Sequence, residues 1–270
     1  MAKLLLVGCG KMGGALVRGW IKSGISINDI TIIEPDAKMA DLVFSDLGAK
    51  PVSSFSDLSS EYAPDYVFLA VKPQNAAEAL APFAALANDK TTFVSILAGK
   101  TIGALEAILG KNTNIVRAMS NTPAAIGRGI TVATANDTTS KTAITEIDNF
   151  LKAVGDVAWI DDEKLMDAVT ALSGSGPAYI FLLAETMAHA GVMAGLPVEL
   201  ADKLARATVC GAGELMHRSA ETPEMLRENV TSPGGTTAAA LEVLMGSDGM
   251  KELMVRAIDR ATKRSKELAD

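Results

Sequence analysis

The chain has few of the residues that enzymes use most often for metal binding and for acid–base or nucleophilic chemistry. Its 270 residues include two histidines and two cysteines. No Cys/His cluster, H-E-x-x-H pattern or G-x-S-x-G elbow occurs in it. We therefore expect no metal site, and we expect any chemistry to come from a bound organic cofactor that the protein positions.

The sequence also lacks the features of membrane, secreted and nucleic-acid-binding proteins. No apolar run is long enough to span a bilayer. The chain enters a predicted strand at once, so we expect no signal peptide. Its formal net charge is −7 and it has no basic block, which argues against a nucleic-acid partner. Cys9 stands in a glycine-rich turn where a disulfide would obstruct a ligand, so we expect a reducing, cytoplasmic location.

A glycine-rich turn near the start of the chain is its most informative feature. An apolar run from Leu4 is followed by GCGKMG and then by a segment that favours a helix. This G-x-G-x-x-G pattern between a strand and a helix is typical of a dinucleotide site, where free N–H groups at the helix start face the pyrophosphate. Glu34 closes the next predicted strand, where a carboxylate would accept the ribose hydroxyls. The predicted cofactor-binding residues here are Gly8, Cys9, Gly10, Lys11, Met12, Gly13 and Glu34.

Two types of region follow one another along the chain. In residues 1–160, apolar strands alternate with helices, which predicts an α/β fold with a Rossmann-type, doubly wound and mostly parallel sheet. The strand pattern ends near Ile160, and residues 161–270 are predicted to form an all-helical domain. Segments 178–194 and 198–216 are apolar on nearly every face, so we expect two subunits to bury them together in a dimer. The elements predicted in the first region include helices at 36–47, 75–87 and 101–109 and strands at 50–52, 66–71, 92–97 and 129–135.

Further ligand-binding residues are predicted at the ends of other strands and helices. Ligands of open parallel sheets bind at the carboxyl ends of the strands, and small residues and prolines there suit a wall along a flat nicotinamide ring. The residues predicted for this wall are Ala70, Val71, Lys72, Pro73, Ala98, Gly99, Asn121 and Pro123, with Asn121 suited to bond the carboxamide. In the helical region, two helix starts rich in glycine and hydroxyl groups suit a carboxylate or a phosphate. They contain Ser175 in one case and Gly234, Gly235, Thr236 and Thr237 in the other.

Six segments together resemble the Δ1-pyrroline-5-carboxylate reductase family. They are GCGKMG from Gly8, AVKPQ from Ala70, SILAG from Ser95, RAMSNTPA from Arg117, ALSGSGPAY from Ala171 and NVTSPGGTTAAAL from Asn229. The last two are the specific ones, because many dehydrogenases share the first. Ser120 departs from the family, which commonly has proline at this position.

The resemblance implies an activity, an assembly and a set of residue roles. The activity is the reduction of L-1-pyrroline-5-carboxylate to L-proline, the last step of proline biosynthesis, by hydride transfer from NADPH or NADH. The helical domain would form a homodimer, often assembled further into a homodecamer. The substrate carboxylate would rest on N–H groups of residues 234–237, and the hydroxyl of Thr237, the catalytic group, would lie beside the imine nitrogen.

The choice of cofactor and two other functions stay open at the level of sequence. Glu34 would repel a 2′-phosphate, which favours NADH, whereas many family members use NADPH. A β-hydroxyacid-dehydrogenase-like oxidoreductase has a similar layout, but it typically relies on a lysine where this chain offers hydroxyls and glycines. A non-catalytic NAD(P)-binding sensor would not need the loop from Thr231 to Thr237.

Overall fold

A parallel sheet forms the centre of the first part of the molecule. The structure is a computed structural model that describes residues 2–71 and 76–269. The strands within these residues are β1 (Leu4–Val7), β2 (Ile30–Ile33), β3 (Tyr66–Leu69), β4 (Thr92–Ser95), β5 (Asn114–Ser120), β6 (Gly129–Ala135) and β7 (Gly155–Trp159).

Helices surround this sheet and then make up the rest of the described chain. The helices associated with the sheet are α1 (Lys11–Lys22), α2 (Ala37–Leu47), α3 (Ala76–Leu80), α4 (Ile102–Leu109), α5 (Lys141–Lys152) and α6 (Met166–Val169). The later helices are α7 (Gly176–Met193), α8 (Val198–Arg218), α9 (Pro223–Asn229), α10 (Thr236–Leu244) and α11 (Met250–Ala269).

The strand order creates a switch point between β1 and β3. Within the described residues the order is β2-β1-β3-β4-β5-β6-β7, and the pairs are parallel except that between β5 and β6. The chain turns from β1 to β2 on one side and returns to β3 on the other. In doubly wound sheets the crevice at the carboxyl ends of such strands is where ligands bind.

The central strands β1, β3 and β4 are buried at every position, and most of their residues are apolar. Leu4 and Leu6 point into one core cluster with Trp20 and Phe68. Leu5 and Val7 point into a second cluster on the opposite face, as the alternation of side chains along a strand requires. The predicted fold class, a doubly wound and mostly parallel sheet followed by a helical domain, is confirmed.

Four predicted elements differ from those observed. The strands predicted at 66–71 and 92–97 end two residues earlier, at Leu69 and Ser95. The strand expected at 50–52 is reduced to one parallel bridge between Val52 and Ile33. The helix expected at 75–87, whose first residue lies outside the described residues, ends at Leu80 and continues as a 3₁₀ helix over Ala81–Leu86. Pro82 explains the change, because it has no N–H to continue the α-helical hydrogen bonds.

The chain forms two compact units, and the first of them contains residues from both the beginning and the end of the sequence. Unit 1 contains the described residues up to Gly174 together with residues 262–269, and unit 2 is Ser175–Ala261. The last strand ends at Trp159, and the domain boundary predicted between residues 160 and 161 stays a prediction. The end of α11 therefore belongs to the unit that holds the sheet.

Unit 2 buries very little of its apolar surface by itself. Within residues 175–261, Ala201 and Ala205 are the side chains classed as buried, at 2% and 5% exposure. By contrast, Phe181 on α7 is 67% exposed and Val243 on α10 is 76% exposed. Exposed apolar surface on this scale marks an interaction surface in a folded protein.

Candidate active site

The glycine turn after β1 is packed so closely that two of its glycines cannot be replaced without strain. Gly8 has a φ of 90°, and a Cβ added to it would lie 2.8 Å from the carbonyl oxygen of Ala70. A Cβ added to Gly13 would collide with the carbonyl oxygen of Gly8. The fold itself therefore requires Gly8 and Gly13, which bring β1, β3 and α1 together.

Gly10 differs from its two neighbours in the motif. It is exposed and its φ is −68°, and a Cβ added to it would meet no protein atom within 4 Å. Nothing in the protein thus requires glycine at this position. A ligand that approaches the backbone of the turn would require it, which is the role of the second glycine in a pyrophosphate-binding turn.

The helices α1 and α10 each have a glycine as N-cap residue, so no side chain caps them. The helices α2, α4 and α5 have N-cap side chains that accept backbone N–H groups of the first turn. The N-cap residues of α1 and α10 are Gly10 and Gly235, which have no side chain to do so. The first N–H groups of α1 and α10 are therefore open to an anionic ligand, with the positive end of the helix dipole behind them.

Glu34 is held against the turn by both of its carboxylate oxygens. Its Oε2 accepts the N–H of Cys9 at 2.8 Å, and its Oε1 accepts the N–H of Asp36 at 3.1 Å. The carboxylate therefore has a defined position beside the turn and at the end of β2. Its negative charge lies where the sequence predicts the ribose of a dinucleotide.

Cys9 is a buried, neutral side chain in this turn. It is 2% exposed. Burial, followed by the charge of Glu34, raises the pKa of the thiol to about 11. A thiol with this pKa is almost entirely protonated at neutral pH, so Cys9 fills space and is not a nucleophile.

A cleft that the sequence did not reveal opens beside the turn. It has a volume of about 440 Å³, and its walls include Gly8, Val71, Ser54 and Phe55. The serine segment is held by Asp57, whose Oδ2 accepts the hydroxyl of Ser53 at 2.6 Å and the N–H of Ser54 at 3.0 Å. These hydrogen bonds lower the pKa of Asp57, and the bond from the Ser53 hydroxyl has the largest effect.

The other predicted strand-end residues lie at the carboxyl ends of β3, β4 and β5. Ala98 is exposed, and Gly99 has a φ of 77°. Ala70 and Val71 are half-buried and follow β3 directly, while Lys72 and Pro73 lie outside the described residues. Pro123 lies in the short 3₁₀ helix after β5.

Asn121 uses its side-chain amide for contacts within the protein. Its Oδ1 accepts the N–H of Ile130 at 3.0 Å. Its Nδ2 donates to the carbonyl oxygen of Ser173 at 3.3 Å and to the hydroxyl of Ser173 at 3.4 Å. The residue thus joins the end of β5 to the start of β6 and to the π-helical segment Thr170–Gly174.

The start of α10 presents backbone N–H groups and one threonine hydroxyl. Gly234 has a φ of 71°, and a Cβ added to it would meet nothing within 4 Å. Gly234 and Thr236 are exposed, and Gly235 and Thr237 are half-buried. Among the described residues, none is hydrogen-bonded to the Thr237 hydroxyl. Ser175 precedes α7, and its carbonyl oxygen accepts the N–H of Ala178 at 3.0 Å.

The residues that the structure describes hold neither a metal-binding cluster nor a membrane-spanning helix. Among them, no three His, Cys, Asp or Glu side chains come together in an arrangement that could hold a metal ion. Within the same residues, no helix combines the length and apolarity that a membrane span requires.

Comparison with known proteins gives the family. Residues 163–268 match the pyrroline-5-carboxylate reductase dimerisation family, and residues 3–99 match the family described as NADP oxidoreductase, coenzyme F420-dependent. The pyrroline-5-carboxylate reductase of Pseudomonas aeruginosa is 36% identical over 99% of this chain and 97% of its own length. The chain belongs to the pyrroline-5-carboxylate reductase family.

Solved structures of this family share the fold over the whole chain. A pyrroline-5-carboxylate reductase from Coxiella burnetii superposes with a TM-score of 0.92 at 33% identity, covering 100% of this chain and 99% of that one. The Plasmodium falciparum pyrroline carboxylate reductase, solved with NADP bound, gives a TM-score of 0.83 at 31% identity, covering 100% and 98%. The resemblance predicted from the motifs is confirmed.

Gly10 and Gly13 should respond differently to a single added methyl group. We expect Gly10→Ala to leave the melting temperature unchanged and to weaken the binding of NADH and NADPH by about tenfold or more, because the methyl occupies the path of the pyrophosphate. We expect Gly13→Ala to lower the melting temperature, since the methyl collides with backbone. Thermal unfolding and fluorescence titration of the reduced nucleotides measure the two effects. Normal nucleotide affinity in Gly10→Ala would remove the turn from the binding site.

Proposed function

We infer that this chain reduces the C=N bond of L-1-pyrroline-5-carboxylate to L-proline with NADH or NADPH. Full-length similarity to the pyrroline-5-carboxylate reductases is the observation that supports this most strongly, because it covers both the glycine turn and the start of α10. The bound reduced nucleotide supplies the hydride. The protein has to bind two anionic molecules and orient them, which suits a site with few conventional catalytic groups.

The glycine turn and the cleft beside it form the proposed nucleotide site. Gly8 to Gly13 and the uncapped start of α1 bind the pyrophosphate, and Gly10 leaves the backbone open to it. Glu34 and the walls of the cleft, which include Ser54 and Phe55, surround the adenosine end. Ala70, Val71, Ala98, Gly99, Asn121 and Pro123 line the nicotinamide, and Lys72 and Pro73 are proposed for the same wall from the sequence alone.

The start of α10 forms the proposed substrate site. Its uncapped N–H groups, at the positive end of the helix, bind the carboxylate of the ring. The hydroxyl of Thr237 donates to the imine nitrogen or holds its proton, and Ser175 is proposed to support the same ligand. An imine that is already protonated is an electrophile, so the protein need not supply a strong acid.

The hydroxyl of Thr237 should contribute to turnover rather than to folding. We expect Thr237→Val, which keeps the shape and removes the hydroxyl, to lower kcat by about one to three orders of magnitude, as for the loss of one positioned polar group. Thr237→Ser should retain most of the activity. The rate is measured by the absorbance of the reduced nicotinamide with and without the cyclic imine.

Thr142→Val is the matched control, since it removes the hydroxyl of an exposed threonine at the second position of another helix, α5. It should leave kcat within about threefold of the wild type, which corresponds to a change of less than about 1 kcal/mol in the activation free energy. Wild-type turnover in Thr237→Val would remove this hydroxyl from the mechanism. Wild-type protein that binds NADH or NADPH but does not oxidise it when the imine is added would overturn the proposed activity itself.

Glu34 should set the preference between the two nucleotides. Its fixed carboxylate adds a negative charge at the proposed ribose position, so we propose that NADH binds more tightly than NADPH. We expect Glu34→Ser to raise the ratio of NADPH affinity to NADH affinity by about tenfold or more, because it removes a charge close to the 2′-phosphate. Calorimetric titration with each nucleotide gives the ratio.

Asp36→Asn is the control for this change, because it removes a nearby charge and keeps an oxygen to cap α2. Its effect on the ratio should be smaller than that of Glu34→Ser. An unchanged ratio in Glu34→Ser would show that Glu34 does not face the 2′ position. Loss of the hydrogen bond between Glu34 and Cys9 should weaken the binding of both nucleotides by the same factor. The ratio of the two affinities is therefore unaffected by that loss.

We propose that unit 2 forms a homodimer by burying its apolar helices against a second copy. The family match of residues 163–268 is to a dimerisation domain, and unit 2 leaves apolar side chains such as Phe181 exposed. We expect Phe181→Glu to raise the dimer dissociation constant by about thirtyfold or more, as for a central interface residue. Assembly into a decamer and a cytoplasmic location stay predictions.

Light scattering during gel filtration over a range of concentrations measures this effect. Phe44→Glu is the matched control, since Phe44 is 56% exposed on α2 in unit 1 and Phe181 is 67% exposed. The control should elute as the wild type does. If Phe181→Glu also stays dimeric at the lowest concentration, this face of α7 does not lie in the interface.

A further inference from the structure

Arg117 is a buried cation at the end of the sheet where the nicotinamide wall is proposed. It lies on β5 beside Ser95, the last residue of β4, and its side chain is 6% exposed. A buried guanidinium needs a counter-charge, because the cost of removing it from water is otherwise too large. Glu163 supplies that charge, with its Oε1 2.8 Å from an Nη1 of Arg117.

The same carboxylate oxygen also holds the first residue of α4. The N–H of Ile102 donates to Oε1 of Glu163 at 2.8 Å. The helix already has its own cap, since the hydroxyl of Thr101 accepts the N–H of Ala104 at 3.1 Å. Glu163 is therefore a second acceptor for the start of α4, and it comes from a segment 61 residues later in the chain.

The loop between β4 and α4 is fixed on its other sides by backbone contacts. At its beginning, the N–H of Ile96 donates to the carbonyl oxygen of Leu69 at 3.1 Å. In its middle, Gly99 lies against the end of α11, where a Cβ added to it would be 3.2 Å from the carbonyl oxygen of Leu268. At its end, the contact with Glu163 ties it to β5.

We propose that Glu163 is a positioning residue for the nicotinamide. By joining Ile102 to Arg117, it holds the Ala98–Gly99 loop at one distance from the end of β5, so that the two parts of the wall keep a fixed spacing. This proposal rests on the proposed function, because it takes residues 98 and 99 as part of the nicotinamide wall. Neither Glu163 nor Arg117 belongs to the ligand-binding residues predicted from the sequence.

A positioning role predicts that the loss of Glu163 will change the catalytic rate and the nucleotide affinity to different extents. The proposed pyrophosphate turn lies at the start of α1, and its described contacts are with Ala70 and Glu34 rather than with Glu163. Loosening the loop should therefore misplace the nicotinamide while the rest of the nucleotide stays bound. A purely structural role would instead reduce stability, affinity and turnover together.

The experiment compares three variants of the Arg117–Glu163 pair and one control variant with the wild-type protein. Glu163→Gln keeps an oxygen that can accept from both Ile102 and Arg117. Glu163→Met removes the acceptor and leaves the buried Arg117 without its counter-charge, so we expect it to lose much of its stability. The double variant Arg117→Met/Glu163→Met removes both charges and the acceptor, and it avoids the unpaired cation. Lys152→Met is the control, since it breaks an ion pair with Asp148 on α5 in the same unit.

Three measurements are made on each folded variant. Hydrogen–deuterium exchange of the nucleotide-free protein reports on peptides that cover residues 96–105. Fluorescence titration gives the dissociation constant of the reduced nucleotide, and steady-state kinetics with the cyclic imine gives kcat. In the double variant we expect faster exchange in residues 96–105, an affinity within about threefold of the wild type because the pyrophosphate contacts are intact, and a kcat lower by about tenfold to a hundredfold.

Glu163→Gln retains the acceptor but removes the counter-charge of Arg117, so we expect it to have a lower melting temperature than the wild type. Because the acceptor is retained, its exchange in residues 96–105 and its kcat should lie closer to the wild type than those of the double variant. Lys152→Met should match the wild type in exchange and keep kcat within about threefold. A double variant with wild-type kcat, or one whose affinity and kcat fall by the same factor, would overturn the proposal. Failure of the proposed function is distinguishable from failure of this proposal. The wild type would then show no turnover, while residues 96–105 would still exchange faster in the double variant than in the wild type.

Discussion

The proposed nucleotide site depends on the close approach of three backbone segments at one turn. Gly8 touches the end of β3, and Gly13 touches Gly8 itself, so no side chain fits between β1, β3 and the start of α1. Glu34 adds a hydrogen bond from the end of β2 to the N–H of Cys9. These contacts hold the free N–H groups of α1 at the switch point of the sheet, where the rest of the site is built around them.

The sequence was sufficient to predict those strands and helices whose determinants lie within a few residues of one another. The strand at Gly129–Ala135 and the helix capped by Thr101 have the predicted bounds, because apolar runs and N-cap side chains act over short distances. The strand expected at 50–52 has one bridging residue, since pairing at the edge of a sheet depends on a partner and not on propensity. The 75–87 segment changes helix type at Pro82, which the apolar periodicity alone does not register.

The candidate site shows the same division between local and distant information. The glycine turn is contiguous in sequence and could be predicted from it. The Arg117–Glu163 pair joins residues 46 positions apart, and Asn121 meets Ser173 across 52 positions. One signal was present, since a charged residue inside the otherwise apolar strand β5 must find a counter-charge. The sequence does not say which of the 32 acidic residues provides it.

The position of residues 262–269 has a consequence for how the protein is made. These residues belong with the sheet, where the hydroxyl of Ser265 donates to Asp167 at 2.7 Å and Leu268 lies against Gly99. Domains generally fold in order as they leave the ribosome. Here the first unit cannot be completed until α11 has been synthesised, after the whole of Ser175–Ala261. The nascent chain must therefore keep the loop at Gly99 uncovered throughout translation of the helical unit.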